Sequence, residues 1–318
     1  MLFSILKGYA RLAIKVYCRK IVVNKPEWLK AKGPILFAAN HPNSFLDGVI
    51  LTTLMNEPVY SLARGDVFEV KGLKKWLYRL GLLPVYRTSE GVENLQQNYT
   101  TFSACQEVFR KGENVLIFSE GACVNEWHLR SLKKGTARLA LSSWQQGIDL
   151  TVVPLGYNYN TFRNFGKNVF LNFGEPLKKD AILGEATEGR QLLQFNEQLR
   201  IQLEHLVYEI EPGDRKMLTE RLSIATPVWQ KVLLAPFALL GAVLHAPLYW
   251  PVKWFTEWKF TNDHFESVLI ALLILLYPVY LIFLLILAHL LLPWSWVLAL
   301  LVLAPFFAWS CVQVKRQV

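Results

Sequence analysis

From Ser267 to Leu292 the chain contains no Asp, Glu, Lys or Arg. A helix of that length crosses about 30 Å of hydrocarbon, and charge-free runs this long are rare in soluble cores. A second apolar stretch, 294–312, follows directly at Pro293-Trp294, so the pair reads as a tight transmembrane hairpin. A third, 228–252, precedes them and contains Pro236, Pro247 and Pro251, together with His245. Prolines at that density break a helix, so 228–252 is read as re-entrant, with an interfacial position or a span as the competing arrangements. A buried helical hairpin of a soluble domain is the alternative for all three stretches.

The part before residue 223 has a different composition. The 318 residues carry a net charge of +9, and the cations lie almost entirely in this front part. Hydrophobic residues make up 53% and charged residues 19%, which excludes disorder, a collagen-like chain and a disulfide scaffold. The basic balance admits nucleic acid, an anionic membrane surface or a phosphorylated substrate. With no RNP, zinc-finger or helix-turn-helix signature, nucleic acid is the weakest of these, and no nucleic-acid partner is expected. Cys18, Cys105, Cys123 and Cys311 show no paired spacing, so they read as small packing residues of a reducing compartment. In residues 1–22, Lys7, Arg11 and Lys15 share one helical face and a broad apolar face lies opposite. The charges interrupt any spanning run, so this stretch reads as an amphipathic helix at a lipid surface. A helix packed on the domain core is the alternative.

Between Pro34 and about Arg221 short apolar runs alternate with longer mixed segments. The runs at 35–39, 59–63, 83–86, 115–118, 151–155 and 169–173 read as strands. The segments near 45–56, 72–80, 91–111, 131–146 and 188–210 read as helices. Strands alternating with helices predict an α/β domain. Strands apolar on both faces predict a sheet covered on both sides.

Several polar residues stand where such strands end. The strand 35–39 runs into Asn40-His41-Pro42-Asn43-Ser44-Phe45-Leu46-Asp47. A loop there can let Asp47 accept from one imidazole nitrogen of His41 and leave the other free to take a proton from a substrate hydroxyl. Taken alone, such a pair is more often a structural turn. Phe118-Ser119-Glu120-Gly121 follows another strand, where Glu120 and Gly121 can meet polyol hydroxyls. A helix cap by Ser119 is the competing reading. Arg130, Lys133, Lys134 and Arg138 flank Gly135, and Arg64 and Arg87 each follow a strand closely. Cations so placed hold a phosphate or form solvated faces and surface ion pairs.

Together these segments resemble the glycerolipid acyltransferases. Residues 40–47 are similar to the family's first block, Gly81-Leu82-Leu83-Pro84-Val85-Tyr86-Arg87 to the second, Phe118-Ser119-Glu120-Gly121 to the third with Leu132-Lys133-Lys134-Gly135 after it, and Val152-Val153-Pro154-Leu155-Gly156 to the fourth. All occur in the family's order, over about residues 30–215. Five residues, 42–46, separate His41 from Asp47, where the commonest block has four. This longer form resembles the block of eukaryotic glycerol-3-phosphate and dihydroxyacetone-phosphate acyltransferases. Ser119 stands where Pro is usual, and Cys123 where an Arg often binds phosphate.

The resemblance implies a mixed, mostly buried β-sheet flanked by helices, with a C-terminal α-helical membrane region. The expected organisation is an interfacial helix at 1–22, a catalytic domain at 30–222 and a membrane region at 223–318. It implies a catalytic His41 and Asp47, and Arg64, Arg87, Ser119, Glu120, Gly121 and Lys133 as substrate-binding residues. Acyl would pass from acyl-CoA or acyl carrier protein to glycerol-3-phosphate or its 1-acyl form. No metal or bound cofactor is expected, the thioester being the co-substrate, and membrane lipids are the surroundings. Acceptance by another lysolipid, hydrolysis and a non-enzymatic scaffold are the competing functions. Lys315 and Arg316 beyond the last apolar stretch, with the basic front domain, place both on the cytoplasmic side.

Overall fold

The computed structural model describes residues 2–86, 97–184, 187–260 and 263–317. The front part contains strands β1 (Cys18–Val23), β2 (Ile35–Ala39), β3 (Val59–Arg64), β4 (Leu82–Val85), β5 (Asn114–Phe118), β6 (Thr151–Tyr159) and β7 (Lys167–Phe173). Its helices are α1 (Leu2–Tyr17), α2 (Phe45–Leu54), α3 (Leu73–Arg79), α4 (Gln97–Arg110), α5 (Lys134–Gln145), α6 (Lys179–Leu183), α7 (Glu188–Leu206) and α8 (Arg215–Leu222). The strands form one sheet in the order β1-β7-β6-β2-β5-β3-β4. Every pairing is parallel except β6 with β7, so the sheet is mixed, as expected.

The period of two along β2 explains why both faces are covered. Leu36 and Ala38 point into one core with Val115, Ile117 and Val152, closed by Leu139 and Trp144 of α5 and Phe195 and Leu199 of α7. Ile35, Phe37 and Ala39 point into the other with Leu116, Val153 and Leu155, closed by Leu46 and Ile50 of α2 and Ile14 of α1. Each Val, Leu, Ile or Phe side chain among these, when fully buried, contributes about 1.5–3 kcal/mol of transfer free energy.

Two parts of the chain depart most from the sequence reading. Residues 18–23 form an edge strand parallel to β7 and do not continue the first helix. Arg19 prolongs the four-residue spacing of Lys7, Arg11 and Lys15 and so hides the boundary, while the β-branched run Ile21-Val22-Val23 suits a pleated strand. The second difference is at the prolines. Helix α9 (Val228–Lys259) is continuous through Pro236, Pro247 and Pro251. Pro278 lies likewise inside α10 (Phe265–His289), and Pro305 inside α11 (Trp294–Val314). Each proline removes one backbone donor, a loss that packed neighbouring helices absorb in long apolar helices. Close packing is present: a Cβ at Gly241 of α9 would meet the Phe307 carbonyl oxygen of α11 at 2.3 Å. Residues 228–259, 265–289 and 296–314 are long and apolar enough to cross a membrane, by length and composition. Ile270 of α10 enters the same core as Ile14, Leu46 and Ile50, so the apolar tail is packed against the face of the sheet that carries α2.

Candidate active site

The rim of the site follows from register. Ala39 of β2 pairs with Phe118 of β5, so both strands end at the same level. Two residues further on stand His41 and Glu120. Glu120 is buried, and its carboxylate accepts the His41 backbone N–H at 2.8 Å and the Arg130 backbone N–H at 2.9 Å. It buckles two loops together rather than facing outward to hydroxyls. Burial raises its pKa, while the two backbone donors and the nearby His41 and Arg130 act the other way.

His41 is held on three sides. Its ring stacks on Phe118 at 3.6 Å between centroids and 14° between planes. Its carbonyl accepts from Val124 N at 3.3 Å. Its Nδ1 lies 2.9 Å from Asp47 Oδ2. Asp47 occupies the first turn of α2, where the helix dipole favours a negative charge. It is fully buried, and its oxygens also accept the Asn43 backbone N–H at 2.9 Å and the Tyr159 hydroxyl at 2.6 Å. Burial and the Asp47 charge push the Tyr159 phenol well above its usual range, so it remains a donor. A carboxylate only accepts, so Nδ1 carries the ring proton and Nε2 is the basic nitrogen. The longer spacing between His41 and Asp47 is accommodated with Ser44 at φ +47°.

The other expected site residues are placed as follows. Ser119 is buried; its hydroxyl accepts from Thr136 at 3.0 Å, and no helix starts there, so neither substrate contact nor capping describes its surroundings. Gly121 has φ +68°, a conformation suited to glycine, and a Cβ there would meet Lys133 Cγ at 3.0 Å. Lys133 is exposed at the start of α5, and its backbone N–H donates to Ser119 O at 2.7 Å. Arg64 ends β3, level with β5 beside it, and pairs with Asp66 in an exposed ion pair. Arg130 pairs with Glu126 at 2.9 Å. Arg87 lies outside the described residues, two positions beyond Val85, which pairs with Arg64. Cys123 is buried, and burial raises its thiol pKa, which removes it as a nucleophile. Among the described residues no group of three or more His, Cys, Asp or Glu is arranged to hold a metal ion.

His41, Asp47, Arg64, Ser119, Glu120, Gly121 and Lys133 thus gather at the carboxyl ends of β2, β3 and β5, the end of a parallel sheet where ligands bind. Residues 20–158, which contain all of them, match the family described as Acyltransferase. A comparison with curated protein sequences gave no match. Among solved structures, this chain is similar to the 1-acyl-sn-glycerophosphate (LPA) acyltransferase PlsC from Thermotoga maritima. That similarity has 16% identity and a TM-score of 0.42, over 64% of this chain and 79% of that one.

The sequence reading missed three residues of the candidate site. Tyr159 supports Asp47 from the end of β6, which runs four residues past the stretch read as a strand. Asn43 was visible inside the first block but without a role. Asn125 donates from Nδ2 to the Pro42 carbonyl at 2.8 Å and fastens the His41 loop from across the site. Contacts between residues so far apart leave no local pattern.

Proposed function

We propose that this chain is a glycerolipid O-acyltransferase. It moves a fatty acyl group from acyl-CoA or acyl carrier protein to a hydroxyl of glycerol-3-phosphate or of 1-acyl-glycerol-3-phosphate. The observation that carries the reading is the His41–Asp47 pair, 2.9 Å apart, with the carboxylate buried and given further donors by Asn43 and Tyr159. That support fixes the imidazole's tautomer and orientation, as a general base requires.

In this reading Nε2 of His41 takes the proton of the acceptor hydroxyl while its oxygen attacks the thioester carbonyl. The tetrahedral intermediate collapses, the C–S bond breaks, and the leaving thiolate takes the proton back from the imidazolium. The chemistry is complete without a bound cofactor. Arg87, Lys133 and Arg64 are the cations for the acceptor phosphate. Arg64 must exchange Asp66 for the phosphate, a small cost because exposed pairs are worth about 0–1 kcal/mol. Glu120 and Gly121 shape the rim through the backbone. The apolar C-terminal helices and α1 hold the rim at the bilayer, with the catalytic domain on the cytoplasmic side.

The test is a labelled acyl-transfer assay on membranes containing the full chain, offering glycerol-3-phosphate, its 1-acyl form and no acceptor in parallel. Esterified product with either phosphorylated acceptor is expected. Thioester loss of equal rate with no acceptor would instead identify a hydrolase.

A further inference from the structure

Three consecutive residues of the turn between His41 and Asp47 are held by His264 and the first residues of α10. Asn43 Nδ2 donates to Glu266 Oε2 at 2.6 Å. Ser44 Oγ lies 3.0 Å from His264 Nδ1, and the Phe45 backbone N–H donates to Ser267 Oγ at 3.0 Å. Asn125, which fastens Pro42, donates its own N–H to Asp263 Oδ1 at 3.4 Å. Ser44 lies between these contacts at φ +47°. A non-glycine residue in such a conformation persists only where its surroundings over-determine it.

Glu266 is the centre of this arrangement. It is fully buried, and it also accepts from the Tyr17 hydroxyl at 2.7 Å and pairs with the fully buried Lys167 of β7. A charged pair costs much to bury unless its hydrogen bonds are complete; Asn43 and Tyr17 supply them. The Asn43 backbone N–H donates in turn to the same Asp47 oxygen that faces His41. Glu266 therefore reaches His41 through Asn43 and Asp47.

We propose that Glu266 is a positioning residue for acyl transfer, making the first turn of α10 part of the catalytic turn. This inference rests on the reading of His41 as the general base. Loss of the Glu266–Asn43 contact loosens the turn without touching either substrate, so it lowers kcat and spares KM.

The test compares full-length variants in membranes. Lys167→Met with Glu266→Gln removes both buried charges but leaves an amide oxygen for Asn43. Lys167→Met with Glu266→Leu removes that acceptor. The first pair is expected to keep kcat within about threefold of wild type, and the second to lose about 10²-fold, the scale of a 1 Å misplacement. KM for donor and acceptor should stay within about twofold in both. Asn43→Ala alone should show the same loss, and adding it to the leucine pair should cost nothing more, because residues acting through one contact are not additive. Wild-type kcat in the leucine pair, or losses that add to that of Asn43→Ala, would overturn the proposal. If the leucine pair does not accumulate, Asn43→Ala decides, since an unchanged kcat there overturns it equally. An inactive His41→Ala beside active Glu266 and Asn43 variants would refute the positioning role alone, whereas an active His41→Ala would refute the proposed function itself.

Discussion

At the scale of single residues, the site depends on carboxylates buried for different purposes. Asp47 spends its oxygens on His41, Asn43 and Tyr159, whereas Glu120 spends both of its own on backbone amides. Burial holds the folded pKa of Glu120 above its ordinary 4.5. A carboxyl with a raised folded pKa contributes its stability fully when protonated, below the unfolded value, and loses it as pH rises through the folded value. Glutamine does not titrate. The melting-temperature advantage of wild type over Glu120→Gln is therefore expected to shrink as pH rises from 4.5 toward neutrality. An advantage that widens over that window would contradict the burial account. His41, Asp47 and Glu120 were legible because strand ends bracket them. Tyr159 and Glu266 were not, because they reach Asp47 and Asn43 across 112 and 223 positions of sequence.

At the scale of elements, local patterns marked the strands well where both faces are apolar. Leu36 and Ala38 on one side of β2, with Phe37 and Ala39 on the other, leave no other stable placement than a covered sheet. Patterns failed where pairing or packing overrides them: Cys18–Val23 is a strand because β7 lies beside it, and α9 survives its prolines within a packed bundle. Packing between α9 and α11 is close enough for one methyl group to matter. A Cβ at Gly241 would sit 2.3 Å from the Phe307 carbonyl oxygen, while nothing lies within 4 Å of one at Gly189 of α7. Gly241→Ala is expected to destabilise the detergent-solubilised chain by about 1–3 kcal/mol, as overpacking does. Gly189→Ala should be neutral or slightly stabilising, by up to about 1 kcal/mol. Thermal unfolding of the two variants side by side checks this, and equal melting temperatures would contradict the tight contact.

At the scale of the whole molecule, the contacts at the helix ends argue for two crossings. Before α9 begins, Thr226 accepts from Arg19, which also donates to the Gln313 carbonyl at the end of α11. Asp263 and His264, just ahead of α10, meet Asn125 and Ser44. Both ends of α9 therefore lie on the sheet domain, α10 leaves it and α11 returns. Trp250, Trp254 and Trp258 are exposed along α9, with Lys253 over Trp250 and Lys259 over Trp258, an interfacial pattern. With the native cysteines replaced, Trp258→Cys and Arg316→Cys should react with an impermeant reagent only after permeabilisation, and Leu291→Cys in intact cells. Labelling of Trp258→Cys and Arg316→Cys from outside, with Leu291→Cys reacting only after permeabilisation, would give α9 a crossing of its own. The proposed function stands or falls on acyl transfer through His41. Its most direct test is the rate of labelled acyl transfer to a phosphorylated glycerol acceptor by wild type and His41→Ala, compared at matched membrane abundance. A loss of about 10²–10⁴-fold is expected; transfer by His41→Ala at more than about half the wild-type rate would refute His41 as the general base.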